Sequence, residues 1–366
     1  MMNRRRFLAS SLVTTGALAL PGLSWATDVT ATGRLIPGDR DKVLSSAADT
    51  PIEQIPNFRR LMRTMVIQLG SAAHKAGLQV MLRNAPELLV KEDIEGYWEQ
   101  QHEANQPHLK SGEVFTDLME AIDGMMVDGL YWGNAHYGVA TQHGAATPYR
   151  QAAEALRQAG RKTFTVEYVK DAQAVEQLHK SATADKLISY ADQEGDMSLS
   201  SVPSARPWDE NPDHVAKLSL ARNWLPVLDG SKFPNVETMV TALAHTSHDL
   251  LVVDPFCRGQ GFSYANIAAL KTKTFGSRRL VLARLPVGLA SQRRWYWNAD
   301  WQPGNPGFLK QPMPVDPNYW MVNYWSDDWK AIISKYFTNL IAIGVDGFLI
   351  DAADAYLAFE EMYPID

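Results

Sequence analysis

The run GFLID at 347–351 delivers a carboxylate, Asp351, at the end of an apolar stretch, and a second acid, Asp354, stands three residues on. The arrangement recurs along the chain. Asn84 follows VMLR, Glu99 lies in IEGYWEQQ, Glu167 and Tyr168 end FTVEY, Asp192 precedes Glu194, and Asp254 follows LLVV. Arg293 and Arg294 follow another apolar run, and Trp295, Tyr296, Trp297, Trp301, Trp320, Tyr324 and Trp325 occupy the adjoining segments. Paired carboxylates beside flat rings are what glycoside hydrolysis needs. One acid protonates the leaving oxygen, the other meets the oxocarbenium-like centre, and the rings stack on sugar faces. Trp295 and Trp297 stand among Arg, Asn and Asp, which favours an exposed platform over core packing. Plainer readings stand beside these. Asp351 and Asp354 could be helix caps, and Glu99, followed by Gln100, Gln101 and His102, could be a solvated strand end.

Other chemistries are poorly supplied. HTSHD at 245–249 has metal-like spacing, but it precedes a strand, which places it at the stabilising end of a barrel. HEANQPH carries Gln106 where a zincin needs its second histidine, and no strand–turn–helix nucleophile elbow occurs. Cys257 is the single cysteine, so no internal disulfide forms, and it reads as a small buried residue. No cofactor and no metal are expected.

Positioning such acids takes strands that end at a common mouth. Alternating patterns predict strands near 79, 95, 163, 187, 250, 280, 320 and 347. Helices are predicted in FRRLMRTMVIQLGSAAHKAG, TPYRQAAEALRQAG, PDHVAKLSLARNWL, YANIAALKTK and WKAIISKYFTNLIAIG. Eight strands, most of them separated by helices, fit an α/β fold of the (β/α)8 TIM-barrel type as a single domain over 57–366. A doubly wound sheet would carry a Gly-rich phosphate loop after its first strand, and none is present. Residues 27–56 read as a polar linker.

Residues 1–26 read as an export signal. They hold Arg4–Arg5–Arg6, Phe7 and Leu8, a short apolar run, and a cleavage-type Ser24–Trp25–Ala26. The Arg-Arg-x-Phe-Leu order is that of a twin-arginine signal, with an ordinary secretory signal as the alternative. Losing its three arginines takes the formal charge from -6 to -9. Such an exported, acidic chain without a membrane span is a poor partner for nucleic acid and suits a neutral or cationic one.

RRWYWNADWQPGNPGFL, followed by YWMVNYWSDDWKAIISKYFTNLIAIGVDGFLIDAADAY, resembles glycoside hydrolase family 114, the endo-α-1,4-polygalactosaminidase-like barrels. The resemblance is strongest over 221–356. It implies that these residues supply the family's strands one to four, while LQVMLRNAPELL, IEGYWEQQ and FTVEYVKD supply strands five to seven from the front of the chain. The barrel is then circularly permuted, opened between strands four and five, and 347–350 should pair in parallel with 79–82. The resemblance further implies that Asp351 and Glu99 are the catalytic pair, within the ~5–9.5 Å that glycosidases use. Asp354, Asp254, Arg294, Asn84 and Tyr168 would position a polysaccharide substrate, an α-1,4-linked galactosamine-containing polymer. One position departs: Gly288–Leu289–Ala290–Ser291 replaces a Gly-Glu-Ala-Glu-like turn and removes two acids from a substrate subsite.

Overall fold

Apolar runs bounded by Gly, Asn and Asp become strands buried on both faces, as a parallel sheet covered by helices requires. In the computed structural model, which describes residues 50–313 and 316–365, these strands are β1 (Gln79–Arg83), β2 (Gly124–Asp128), β3 (Lys162–Tyr168), β4 (Ile188–Asp192), β5 (Leu225–Val227), β6 (Leu250–Val253), β7 (Leu280–Pro286) and β8 (Gly347–Asp351). Their ladder order is β4-β3-β2-β1-β8-β7-β6-β5, and every pairing is parallel. This is the cyclic order of a TIM-like barrel with one open seam, between β4 and β5. Side chains and loops bridge that seam. The rings of Tyr190 and Trp224 meet at 6.4 Å, and the Leu199 carbonyl accepts Leu228 N–H at 2.8 Å.

The expected pairing of 347–350 with 79–82 is present, with Gln79 opposite Gly347 and Leu82 opposite Ile350. Gly347 is needed there, because a Cβ would stand 2.1 Å from the Gln79 carbonyl oxygen. Nine helices over the described residues follow or cover the strands: α1 (Phe58–Lys75), α2 (Asp93–His102), α3 (Thr116–Ala121), α4 (His143–Gln158), α5 (Ala172–Ala184), α6 (Val236–Ala244), α7 (Tyr264–Leu270), α8 (Asp327–Ala342) and α9 (Tyr356–Met362). The first shows the logic. Phe58, Met62, Met65, Val66 and Ala73 fall on one buried stripe, and the Asn57 side chain caps the start by accepting Arg60 N–H at 2.8 Å.

Four sequence expectations are corrected. IEGYWEQQ is not a strand; it lies in α2, where Trp98 stacks on His102 one turn later at 3.9 Å. YWMVNYW does form a strand, Tyr319–Val322, but at the centre of a separate antiparallel sheet with Leu289–Ser291 and Leu309–Pro312. PDHVAKLSLARNWL makes one 3-10 turn, Leu218–Leu220, instead of a helix. Its buried Val215, Leu218 and Ala221 mimic helical spacing while an irregular segment runs across the closed end of the barrel. Residues 52–56 are not linker. Ile55 is buried, and its carbonyl accepts the Trp98 indole N–H at 2.7 Å. The expected signal at 1–26, and 27–49, lie outside the described residues. No described helix is long and apolar enough to cross a membrane.

Candidate functional site

The C-terminal ends of the strands carry alternating charge. Arg83 ends β1, Asp128 ends β2, Arg284 lies near the end of β7, Asp351 ends β8, and Asp254 follows β6. Side chains two apart on a strand share a face, so Met81 and Arg83, Leu282 and Arg284, and Leu349 and Asp351 all project to the same side. Together the charged ends form one ladder. Arg83 donates from Nε to Asp128 Oδ2 at 2.8 Å and from Nη1 to Asp351 Oδ1 at 3.3 Å. Arg284 donates to the other oxygen of Asp351 and lies 3.5 Å from Asp254 Oδ2. Arg294 closes the row on Asp254. Asp128, Arg83, Asp351, Arg284, Asp254 and Arg294 thus follow one another in strict charge alternation, each at most 8% exposed.

The two contacts of Arg83 set a distance. Contacts of 2.8 and 3.3 Å, joined across the ~2.3 Å between two nitrogens of one guanidinium, cap the Asp128–Asp351 oxygen separation at about 8.4 Å. The separation therefore does not exceed the upper limit of the span that glycosidases use.

Their environments differ. Burial works against charge at Asp351, but Arg284 and Arg83 outweigh it and hold the carboxyl down at about 2. Asp128 shares Arg83 with Asp351 and otherwise has only neutral donors, Tyr168 Oη at 2.9 Å and Asn84 Nδ2 at 2.9 Å. Burial prevails there, and its pKa is raised. The two neighbouring carboxyls are thus pushed in opposite directions, Asp351 toward the ionised form and Asp128 toward the neutral one.

Backbone strain collects at the same tips. Asn84 and Ala85 are both left-handed, φ 52° and 55°, and Ala352 follows Asp351 at φ 54°. The strained Asn84 accepts Asp128 N–H at 3.1 Å while its amide holds the carboxyl, so the kink after β1 fixes the end of β2.

A long insertion between β7 and β8, residues 287–326, lies over the mouth. Its Tyr319 hydroxyl accepts from Arg284 at 3.3 Å, and Val287 N–H donates to the Asp351 carbonyl at 2.9 Å. Beneath it a cavity of about 20 Å³, room for one water, is lined by Asp351, Asp354, Arg284, Gly288 and Met321.

Of the expected site residues, Asp351, Asp354, Asp254, Arg294, Asn84 and Tyr168 come together here. Glu99 does not, and its assignment to a strand tip is corrected. It sits on α2, packed against α1 outside the strand barrel, where Lys91, Arg60 at 3.3 Å and His108 at 3.4 Å take up its carboxylate. The expected aromatic platform is also revised. Trp297 packs into Trp301 at 5.1 Å and Trp320 at 5.4 Å as the core of the insertion. Trp295 is exposed, but Lys335 stands 4.9 Å over its ring.

Arg83, Asp128 and Arg284 were missed. A lone arginine inside an otherwise apolar strand, as in VMLR and LVLARLP, is the signal that announces them, because a buried guanidinium requires acids. HTSHD lies before β6, at the far end of the barrel, where Asp249 binds the buried Lys273.

No family model matches the chain. An uncharacterized protein of Deinococcus radiodurans is 31% identical over 145 residues, 40% of this chain and 44% of its own length. An uncharacterized protein of Methanocaldococcus jannaschii is 26% identical over 147 residues, 40% of this chain and 41% of its own. A third, from Thermotoga maritima, is 31% identical over 75 residues, 20% and 23% of the two chains. The chain thus spans less than half the length of the curated relatives it matches.

Proposed function

We propose that the protein is an exported glycoside hydrolase acting on a polysaccharide, with Asp351 as the ionised nucleophile or base and Asp128 as the proton donor. The observation that carries this reading is the pair itself. Two mouth carboxyls are bridged by Arg83 within about 8.4 Å, one held low near 2 and the other raised. Asp128 takes the role that the resemblance to family 114 implied for Glu99. Asn84 and Tyr168 orient the donor, while Arg284, Asp254 and Arg294 keep Asp351 charged and in place. The same resemblance implies an α-1,4-linked galactosamine-containing substrate and a permuted strand order relative to that family.

Burial favours a second reading, a carbohydrate-binding barrel without hydrolysis. Asp351 and Asp128 are each only 1% exposed, so substrate must part the insertion from the mouth before either acid can act. Mass spectrometry of oligosaccharides released from galactosamine-containing polymers decides between the two. Release by the wild type, lost in both Asp351→Asn and Asp128→Asn with the fold intact, supports the hydrolase. Undiminished release by Asp128→Asn removes that residue from the pair, and binding without any release leaves the second reading. Export is tested separately: replacing Arg4 and Arg5 by lysine should retain the protein in the cytoplasm.

A further inference from the structure

Each acid of the ladder has an arginine. Asp192, which ends β4, has none. It projects into the same mouth for two reasons. Tyr190, two residues earlier and so on the same face, meets Trp224 at 6.4 Å and shares that ring with Phe164, which stands 5.5 Å away from the neighbouring strand. Asp192 is also the lateral partner of Tyr168, whose hydroxyl reaches Asp128 at 2.9 Å. In cyclic order β4 lies four strands from β8, so Asp192 stands on the wall opposite Asp351.

Asp192 is 1% exposed. Its Oδ1 accepts Glu194 N–H at 3.3 Å, and its Oδ2 has no hydrogen-bond partner among the described residues. The groups that face it supply little compensating charge. Glu194 and Asp196 add negative charge from the same loop, and Tyr168, Tyr190 and Tyr137 are neutral phenols, the last donating to the Asp192 backbone carbonyl at 2.9 Å. Lys232 attracts it from the segment after β5, but its ammonium is bound to Asp196 at 2.5 Å. A buried carboxyl oxygen left without a donor is costly, and a protein that matches each of Asp128, Asp351 and Asp254 with a guanidinium has left this one without any.

We propose that Asp192 Oδ2 is a substrate-binding group, the acceptor for a hydrogen-bond donor of the incoming sugar on the wall opposite Asp351. The donor is an ammonium or a hydroxyl of that sugar, and the inference rests on the glycosidase reading. Asp192 is covered by the loops that carry Tyr137 and Glu194, which must admit the sugar for it to act. Burial, opposed by the Glu194 N–H and reinforced by Asp196 and Glu194, raises its pKa to about 6. An ammonium would therefore bind better as pH rises through that value, whereas a hydroxyl would respond less.

The test is calorimetric binding of galactosamine and N-acetylgalactosamine oligomers to the full chain carrying Asp351→Asn, with and without Asp192→Asn. Loss of a hydrogen bond to a charged group predicts a tenfold to hundredfold weakening. Weakening confined to the galactosamine oligomer identifies the ammonium, and equal weakening on both oligomers identifies the hydroxyl. Unchanged affinity for both overturns the inference while leaving the glycosidase reading in place. Binding of neither oligomer before Asp192 is changed overturns both. Asp192→Asn should melt no lower than its parent, because it removes an unpaired buried carboxyl, and a matching rise in KM in the otherwise wild-type enzyme must accompany the loss.

Discussion

Replacing Arg83 by methionine should cost little stability in acid and a great deal at mild alkali. The guanidinium is 1% exposed and serves two carboxylates, at 2.8 and 3.3 Å. Asp351 keeps Arg284 when Arg83 is lost, so the deficit falls on Asp128, which is left with a phenol and an amide. Removing one partner of a buried pair costs about 3–5 kcal/mol while the other stays charged. Asp128 escapes by protonating, since its pKa is already raised by burial. A carboxyl whose folded pKa exceeds its unfolded value of ~3.9 weakens the fold as pH climbs from the unfolded to the folded pKa, by up to ~1.4 kcal/mol per pH unit. Without Arg83 that climb extends further, so the deficit relative to wild type should widen from roughly 1 kcal/mol at pH 5 to about 3–5 kcal/mol at pH 8. Urea unfolding of both proteins at four pH values measures it, with matching slopes required in denaturant. A deficit of the same size at pH 5 and pH 8 would mean that Arg83 acts through packing, and the charge ladder would lose its energetic basis.

Three other substitutions test separate parts of the structure. Glu99→Gln should lower stability by about 3 kcal/mol at neutral pH, by unpairing the buried Lys91, and leave polymer hydrolysis within about twofold; abolished turnover in a folded variant would return Glu99 to the site. Gly347→Ala should cost about 3 kcal/mol or more, because its Cβ would meet the Gln79 carbonyl at the β1–β8 seam, and an unshifted melting temperature would contradict that contact. Glu167 is buried and its pKa raised to about 8, while Oε2 accepts the N–H groups of Tyr131 and Trp132 at 2.8 Å each. Its raised value weakens the fold from about pH 4.3 up to about 8, so Glu167→Gln, which keeps the acceptor, should stabilise at pH 8 more than at pH 5; equal gains at both would refute the burial argument.

The barrel and most of its mouth could be read from residue order because β6, β7 and β8 are apolar runs with a charged group at or near the end. The strands that escaped notice have physical reasons. GMMVD has only five residues, with Asp-Gly turn signals at both ends, and LPV contains Pro226, which normally argues against a strand. Proline is tolerated because β5 is hydrogen-bonded only to β6 and borders the open seam. IEGYWEQQ read alone does not reveal the helix that carries Glu99; a longer pattern does. Arg59, Arg60 and Arg63 on α1 match Glu92, Glu95, Glu99 and Glu103 at helical spacing, and those pairs do form between the two segments. Asp128 was hidden with its strand. Without β2 the arginines had no visible partner, so the ladder could not be assembled.

The β1–β8 seam also has a consequence for how the protein is made. Residues 84–346, 263 in all, are translated between the end of β1 and the start of β8. At ~5–20 residues per second, β1 waits roughly 13–50 s on the ribosome for that partner. During this time one edge of β1 is covered by β2 and the other offers unpaired amides and carbonyls to any passing strand. Until β8 arrives Arg83 lacks one of its two acids, Asp351, which is not yet made. The edge of β1 is thus exposed through most of synthesis, and Asp351 joins Asp128 only after nearly the whole chain has been made.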